Sequence, residues 1–298
     1  MDHQEQTSEI EIINKEMDRD LKISRRRVAI LGFNSSVIFH VCPAAHAHGQ
    51  LDVKFRYSGS TGPDKWGSMS PSYVSCSFGN AQSPVQIMEN DVVFDGNLDP
   101  LSIGYNDVSA TLINNGFNCE LCFGNDVGGA IIDGKNYTLK QMHWHSPSEH
   151  AIEGIRYAAE LHLVHVSIDG SISVVAILYK NGALDPLLSQ VKDGFNELAK
   201  QASAGQDRAR APIKLVRIKD IIMQSDRNRY FRYVGSLTTP PCTEKVIWNI
   251  LKEVREISVE QVAALKTPLD ESCKNNSRPT QPLNGRHIGL SAAAASLI

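Results

Sequence analysis

The sequence predicts a mainly β domain with a few peripheral helices, and three observations carry that prediction. From about residue 50 the chain breaks into short apolar runs separated by turn residues, as in YSGSTGPDKWG, FGNAQSP, NNG and GNDVGG. Two β-like runs, YAAELHLVHVSI (157–168) and SISVVAILYK (171–180), flank Asp169-Gly170, a strong hairpin signal. Helical spacing stands out in only two places.

The elements follow in chain order. Residues 1–23 mix acids and bases without periodicity, and then the basic cluster in SRRRVAILGF (24–33) runs into apolar sequence and reaches AHA at 45–47. A basic region, an apolar core and an A-x-A site read as an export signal cleaved after Ala47, and the adjacent arginines also suit a twin-arginine signal. This places a leader, or else a disordered tail, over 1–47 and one domain over 48–298. The protein is therefore expected to be exported: secreted, lumenal or periplasmic. Asn34, Ser35, Ser36 and His40 interrupt the apolar core of the signal. Strands fill the middle of the chain, and VIWNIL (246–251) is another.

The first helix is LDPLLSQVKDGFNELAKQ (184–201), with Leu184, Leu187, Leu188, Val191, Phe195 and Leu198 on one stripe, Asp185 as N-cap and Pro186 in the first turn. The second is SVEQVAALKT (258–267), opened by a Ser258/Gln261 capping box and closed by Pro268. QASAGQDRARAP (201–212) reads as a polar exposed loop between elements. Net charge is −3, which gives no reason to expect nucleic acid as a partner. No apolar run reaches the roughly 20 residues of a membrane span.

The chemistry concentrates in QMHWHSPSEH (141–150), where three of the ten histidines fall within eight residues. Residues i and i+2 of a strand share a face, so His143 and His145 aim two imidazoles at one point. His162 adds a third from a second strand, on the face that also carries Glu160 and Val164. Three neutral imidazoles suit Zn²⁺ and leave a fourth tetrahedral position open for water, the mark of a catalytic zinc. Ligand histidines need an acceptor on the other ring nitrogen. Gln141 shares the face of His143 and His145, and Glu160 that of His162. His165 faces the opposite way and reads as structural, and His150 as a weaker candidate. GSLTTPPCTE (235–244) sets two hydroxyls before two prolines on a stiff turn.

Cys76, Cys119, Cys122, Cys242 and Cys273 follow the leader, an odd number, and export would favour at least one bridge among them. Cys119 and Cys122 form C-x-x-C without a second such pair, and on a strand they would face opposite sides. Asn136 (NYT) and Asn275 (NNS) are glycosylation sequons, meaningful only on a secretory route.

GPDKW (62–66), QSPV (82–85), NNG (114–116), QMHWHSPSEH, YAAELHLVH, GSLTTPPCTE and RPTQPLNGR (278–286) occur in this order from about Phe55 to His287. The chain thereby resembles the α-class carbonic anhydrases, most closely plant and algal members, including the dioscorin-like branch. The resemblance implies a single domain built on a large, twisted, mostly antiparallel sheet of about ten strands with short helices outside. It implies zinc on His143, His145 and His162, and reversible hydration of carbon dioxide to bicarbonate by zinc-bound hydroxide. Thr238 would take a hydrogen bond from that hydroxide and give its own proton to Glu149. Gln141 and Glu160 would orient His143 and His162, and the Asn276 carbonyl would orient His145. Val164, Val174, Leu237 and Trp248 would wall the CO₂ pocket, with Thr239 beside the substrate. Tyr57 and Asn115 would belong to an ordered-water network, and Cys76–Cys242 would be a disulfide bracing the Thr238 loop.

One position departs from the family pattern. Fast members carry a proton-shuttling histidine after the glycine of NNG, and here that residue is Phe117. Glu120, His48, buffer or a water chain would have to move the proton, so turnover is expected to be limited at that step. The competing reading is a storage or binding protein of the same fold with little activity. A metalloprotease is disfavoured by the absence of H-E-x-x-H.

Overall fold

The computed structural model describes residues 54–291 apart from 125, 207 and 224. The expected leader over 1–47 and His48 lie outside the described residues.

The strands are β1 (Gln86–Ile87), β2 (Val93–Asp95), β3 (Ser102–Tyr105), β4 (Val108–Asn114), β5 (Cys119–Phe123), β6 (Gly128–Ile132), β7 (Lys135–His145) and β8 (Ala151–Ile152). Then come β9 (Ile155–Arg156), β10 (Ala159–Val166), β11 (Ile172–Asn181), β12 (Arg210–Val216), β13 (Tyr230–Ser236), β14 (Glu244–Leu251), β15 (Arg255–Ile257) and β16 (Gly289–Ser291). Ten of them form one continuous path, β12-β4-β5-β7-β10-β11-β14-β13-β16-β2. β6 branches from β7 and carries β3, β15 pairs with β11, and β1-β8-β9 make a small separate sheet. The large sheet is mixed, because β11–β14, β11–β15 and β16–β2 run parallel amid antiparallel neighbours.

β10 and β11 form the hairpin expected around Asp169-Gly170, with Gly170 at φ +83°, a conformation that glycine adopts without strain. The pairing of β7 with β10 holds a β-bulge. Val164 pairs with Gln141 and His165 with Leu139, so Lys140 has no partner across the ladder. The extra residue reverses the alternation of β7. Tyr137 and Leu139 before it, and Met142 and Trp144 after it, therefore all enter one core. The opposite face begins at Asn136 and Thr138 and ends at His143 and His145.

The helix Pro186–Ser203 lies over that core. Its side chains Leu187, Leu188, Val191, Phe195 and Leu198 are buried, and Phe195 meets Trp144 edge-on with centroids 5.8 Å apart. Fully burying an aliphatic or phenyl side chain of this size stabilises by about 1.5–3 kcal/mol. Asp185 caps the helix by accepting from the Leu188 amide at 2.9 Å. Leu184 departs from the expected stripe: it precedes the cap and is exposed. The helix Val259–Lys266 carries its Ser258/Gln261 capping box as the sequence indicates.

The segment 201–212 is not one loop. The helix runs to Ser203 and β12 begins at Arg210. Gln201 ties the two together, its amide donating to the Arg210 carbonyl (2.9 Å) while its oxygen accepts the Arg210 N–H (2.9 Å).

Candidate metal centre

The centre is built from rows of residues that lie side by side across the sheet. One row runs Glu120, His143, His162, Ala176 and Ile250 over β5, β7, β10, β11 and β14. The next runs Cys122, Gln141, Val164, Val174, Trp248 and Tyr233. His145 lies opposite Glu160. Two imidazoles thus come from β7 and one from β10, on inner strands hydrogen-bonded on both sides.

Each ring has one nitrogen fixed. His143 Nδ1 bonds Gln141 Oε1 at 2.8 Å, His145 Nδ1 bonds the Asn276 carbonyl at 2.6 Å, and His162 Nε2 bonds Glu160 Oε1 at 2.8 Å. Because these partners accept, each fixed nitrogen carries the proton and the other is a lone-pair donor. The three remaining nitrogens, Nε2, Nε2 and Nδ1, converge within 4.8 Å of one another, with His143 Nε2 and His162 Nδ1 3.3 Å apart. His145 Nε2 is buried with no hydrogen-bond partner among the described residues. Burial, joined by the neighbouring rings, holds His143 well below the ordinary histidine range. Burial also pushes His145 down to about 4 and lowers His162. All three are therefore neutral at pH 7, the form that binds a metal.

The carboxylates divide the remaining work. Glu160 is fully buried, and burial alone would raise its carboxyl. The His150 and His162 rings and their hydrogen bonds outweigh that and hold it well below the usual carboxylate range. It accepts the Glu149 and His150 amides on Oε2, both at 2.8 Å, and His150 Nδ1 on Oε1 at 2.6 Å. His150 Nε2 reaches the Tyr233 hydroxyl at 2.8 Å, which in turn meets Ser83 Oγ at 2.7 Å. His150, Glu160 and His162 form a second group close enough to hold a metal. Their facing atoms are already hydrogen-bonded to one another, so that group is closed.

Burial pushes Glu149 up to about 7, against the pull of His162, the Thr238 side chain and the Arg278 amide. Its Oε1 accepts the Arg278 N–H at 2.9 Å. Its Oε2 lies 3.5 Å from His145 Nε2 and has no hydrogen bond. The Thr238 hydroxyl therefore approaches the carboxyl without closing a bond on Oε2. Thr238 is buried at the head of a turn in which the Cys242 amide donates to the Thr239 carbonyl at 2.8 Å. Cys242 is bridged to Cys76. Cys119, Cys122 and Cys273 are free and buried.

Val164, Val174 and Trp248 are buried beside the ligand row, whereas Leu237 and Thr239 are half-buried. The Tyr57 hydroxyl is buried without a hydrogen-bond partner among the described residues. Asn115 spends its carboxamide oxygen on the amides of Phe117 (3.3 Å) and Asn118 (3.0 Å), shaping the turn that carries Phe117. The Phe117 ring is buried against Phe55, with centroids 4.7 Å apart. Glu120 is buried, pushed up to about 8 by that burial, and accepts the Cys122 thiol on Oε1 at 3.0 Å.

Sequence reasoning missed Arg278 and ranked His150 only as a weaker candidate. His150 shares Glu160 with His162, yet it lies in a loop where strand alternation gives no direction. Arg278, 1% exposed, supplies the amide that holds Glu149. Its guanidinium donates to Gln82, to the Ser83 carbonyl and to the Cys76 carbonyl at 2.7–2.9 Å. Its only sequence signal is an arginine opening RPTQP.

The family model for eukaryotic-type carbonic anhydrases matches residues 61–292. Alpha carbonic anhydrase 7 of Arabidopsis thaliana is 34% identical over 262 residues, 87% of this chain and 93% of the relative. Dioscorin dioA3 of Dioscorea japonica is 36% identical over 254 residues, 85% and 91% of the two chains. A crystal structure of dioscorin complexed with ascorbate superposes with a TM-score of 0.75 at 37% identity, covering 80% of this chain and 98% of that one.

Proposed function

Since the chain belongs to the eukaryotic-type carbonic anhydrase family, we propose that it hydrates carbon dioxide reversibly to bicarbonate and a proton, with zinc held by His143, His145 and His162. The observation that carries this reading is the convergence of three neutral ring nitrogens, each oriented by an acceptor behind it. An unpaired buried nitrogen such as His145 Nε2 is costly unless a ligand meets it. Three imidazoles with one open position fit catalytic zinc. When bound, zinc supplies the Lewis acidity that makes water a nucleophile near neutral pH, behaviour for which carbonic anhydrases are themselves the standard example.

The chain's own residues do the rest. Arg278 fixes Oε1 of Glu149, so Oε2 remains to accept the Thr238 hydroxyl. A threonine that donates there has only lone pairs to offer the reacting oxygen, and this selects an oxygen that still carries a proton. Val164, Val174 and Trp248 offer an apolar wall suited to a substrate without a dipole. Leu237 and Thr239 close the side nearest the turn. Phe117 carries no proton, so proton export would fall to buffer or to a water path past Tyr57, and turnover would be limited there.

Similarity to dioscorins favours a second reading, a storage or binding protein with little activity. Stopped-flow CO₂ hydration on residues 48–298, with zinc assayed on the same sample and buffer varied, separates the two. Turnover that needs one zinc per chain and rises with buffer supports the enzyme and the missing shuttle. One zinc per chain without turnover favours the binding protein. We also propose that residues 1–47 are an export signal removed after Ala47, to be checked by sequencing the mature N-terminus.

A further inference from the structure

The far half of β7 carries chemistry that the metal centre does not use. Asn136-Tyr137-Thr138 is the acceptor pattern Asn-X-Thr. It follows the Asp133-Gly134 turn, where both residues have positive φ. Tyr137 points into the core and is 4% exposed. Asn136 and Thr138 therefore leave the sheet together on the other face, Asn136 exposed and Thr138 half-buried.

That face has room. Ile131 lies opposite Asn136, and Ser102 opposite Ile131. Gly129 lies opposite Thr138, and Gly104 opposite Gly129. A Cβ on Gly129 would meet the Tyr137 carbonyl oxygen at 1.9 Å, so only glycine fits there. These residues bound a shallow depression of about 510 Å³ that no side chain fills, beside Ile131 at 48% exposure. Asn136 is seven residues from His143 along the strand, roughly 23 Å at 3.3 Å per residue.

The other sequon is committed to the fold. Asn275 Oδ1 accepts Lys266 Nζ at 2.9 Å, and the Ser277 hydroxyl donates to the Pro147 carbonyl. Asn276, between them, holds His145 through its carbonyl and the Ser146 amide through its side chain.

We propose that Asn136, and not Asn275, carries an N-linked glycan that lies over the open face of β3, β6 and β7. The inference rests on the export reading, because the sugar donor is a lipid-diphosphate-linked oligosaccharide of the secretory membrane. Asn136 Nδ2 attacks the anomeric carbon of that donor. A C–N bond forms, the anomeric C–O bond to the diphosphate breaks, the lipid diphosphate leaves, and one amide proton is released. No oxidation state changes. A host transferase catalyses the step and reads the Thr138 hydroxyl.

The full chain would be translated in vitro with endoplasmic-reticulum microsomes. Protease protection scores entry, and a mobility shift removed by peptide N-glycosidase scores the glycan. The expected result is a protected chain with one shift. The shift is lost in Asn136→Gln and Thr138→Val, and kept in Thr138→Ser and Asn275→Gln. A protected chain without a shift, or a shift that survives Asn136→Gln, overturns the proposal. An unprotected chain overturns the secretory form of the export reading, on which the glycan depends, and the glycan with it. Secreted Asn136→Gln should keep zinc content and CO₂ hydration within twofold of wild type, and a larger fall would overturn the separation of this face from the metal centre.

Discussion

Replacing His150 with phenylalanine tests whether the metal centre depends on a residue that cannot touch the metal nitrogens. Four donors converge on the Glu160 carboxylate: the Glu149 and His150 amides, His150 Nδ1 and His162 Nε2. Phenylalanine removes only His150 Nδ1 from that set, since the backbone amide stays. The ring contact with Trp248, at 4.8 Å between centroids, can also stay. The Tyr233 hydroxyl keeps Ser83, so the change orphans no buried hydroxyl. The losses are one hydrogen bond to a charged group, about 1.5–3 kcal/mol, and the neutral bond between His150 Nε2 and the Tyr233 hydroxyl. Without it, burial pushes the Glu160 carboxyl back up, and the carboxylate pulls less strongly on the His162 proton. Weakened support behind a metal-binding histidine typically costs about 10–100-fold in affinity. At about 1.4 kcal/mol per tenfold, that lies within the energy of the lost bond. Chelator competition would measure zinc affinity, with near-UV circular dichroism as the check on folding. Tyr233→Phe leaves the His150–Glu160 bond in place and should weaken zinc by less than roughly threefold. A folded His150→Phe protein that binds zinc within twofold of wild type would refute the argument.

Three further outcomes are expected. Phe117→His should raise turnover in weak buffer by roughly tenfold, below the full range for a well-placed acid–base group, and should flatten the buffer dependence seen by stopped flow. It should also lose stability, because the ring leaves its packing on Phe55. Removing the Cys76–Cys242 bridge frees a segment spanning 166 residues, which by loop entropy lowers stability by about 5 kcal/mol; urea midpoints of the double serine variant check this. Burial holds His165 at about 4 in the folded chain, against about 6.5 unfolded, so only the unfolded chain takes up a proton between those values. Stability is thus lost as pH falls, by roughly 2 kcal/mol between pH 7.5 and 5 from this group. His165→Phe should be weaker at pH 7.5, where the Tyr105 hydroxyl loses its 2.6 Å partner, yet should lose that much less on acidification.

The candidate histidine cluster was legible because its grouping depends only on local alternation. His143 and His145 share a face whatever β7 pairs with, and Glu160 and His162 do so on β10. The helix caps at Asp185 and Ser258 were legible for the same reason. Lys140 was not legible as a bulge, because a bulge is defined by the partner strand. The segment 201–212 looked like a loop because its residues are polar, but a polar side chain, Gln201, fastens the helix end to β12. Arg278 stayed hidden, and His150 ranked only as a weaker candidate, because loop side chains have no period. What they hold, Glu160 and Glu149, lies close by for one and 129 residues away for the other.

On the proposed function, the architecture would separate metal binding from turnover. The three imidazoles and two of their three orienting partners sit on inner strands, where changing an angle would mean breaking the ladder on both sides. Thr238 and Glu149 sit in loops, and Glu149 Oε2 is left unbonded. On the proposed function, affinity for the metal would be a property of the sheet, and the rate a property of the loops. Thr238→Ala should leave zinc at one per chain and lower turnover, whereas Gln141→Ala should lower zinc affinity first. A Thr238→Ala protein that lost its zinc would show the turn to be part of the metal cage and would break this division.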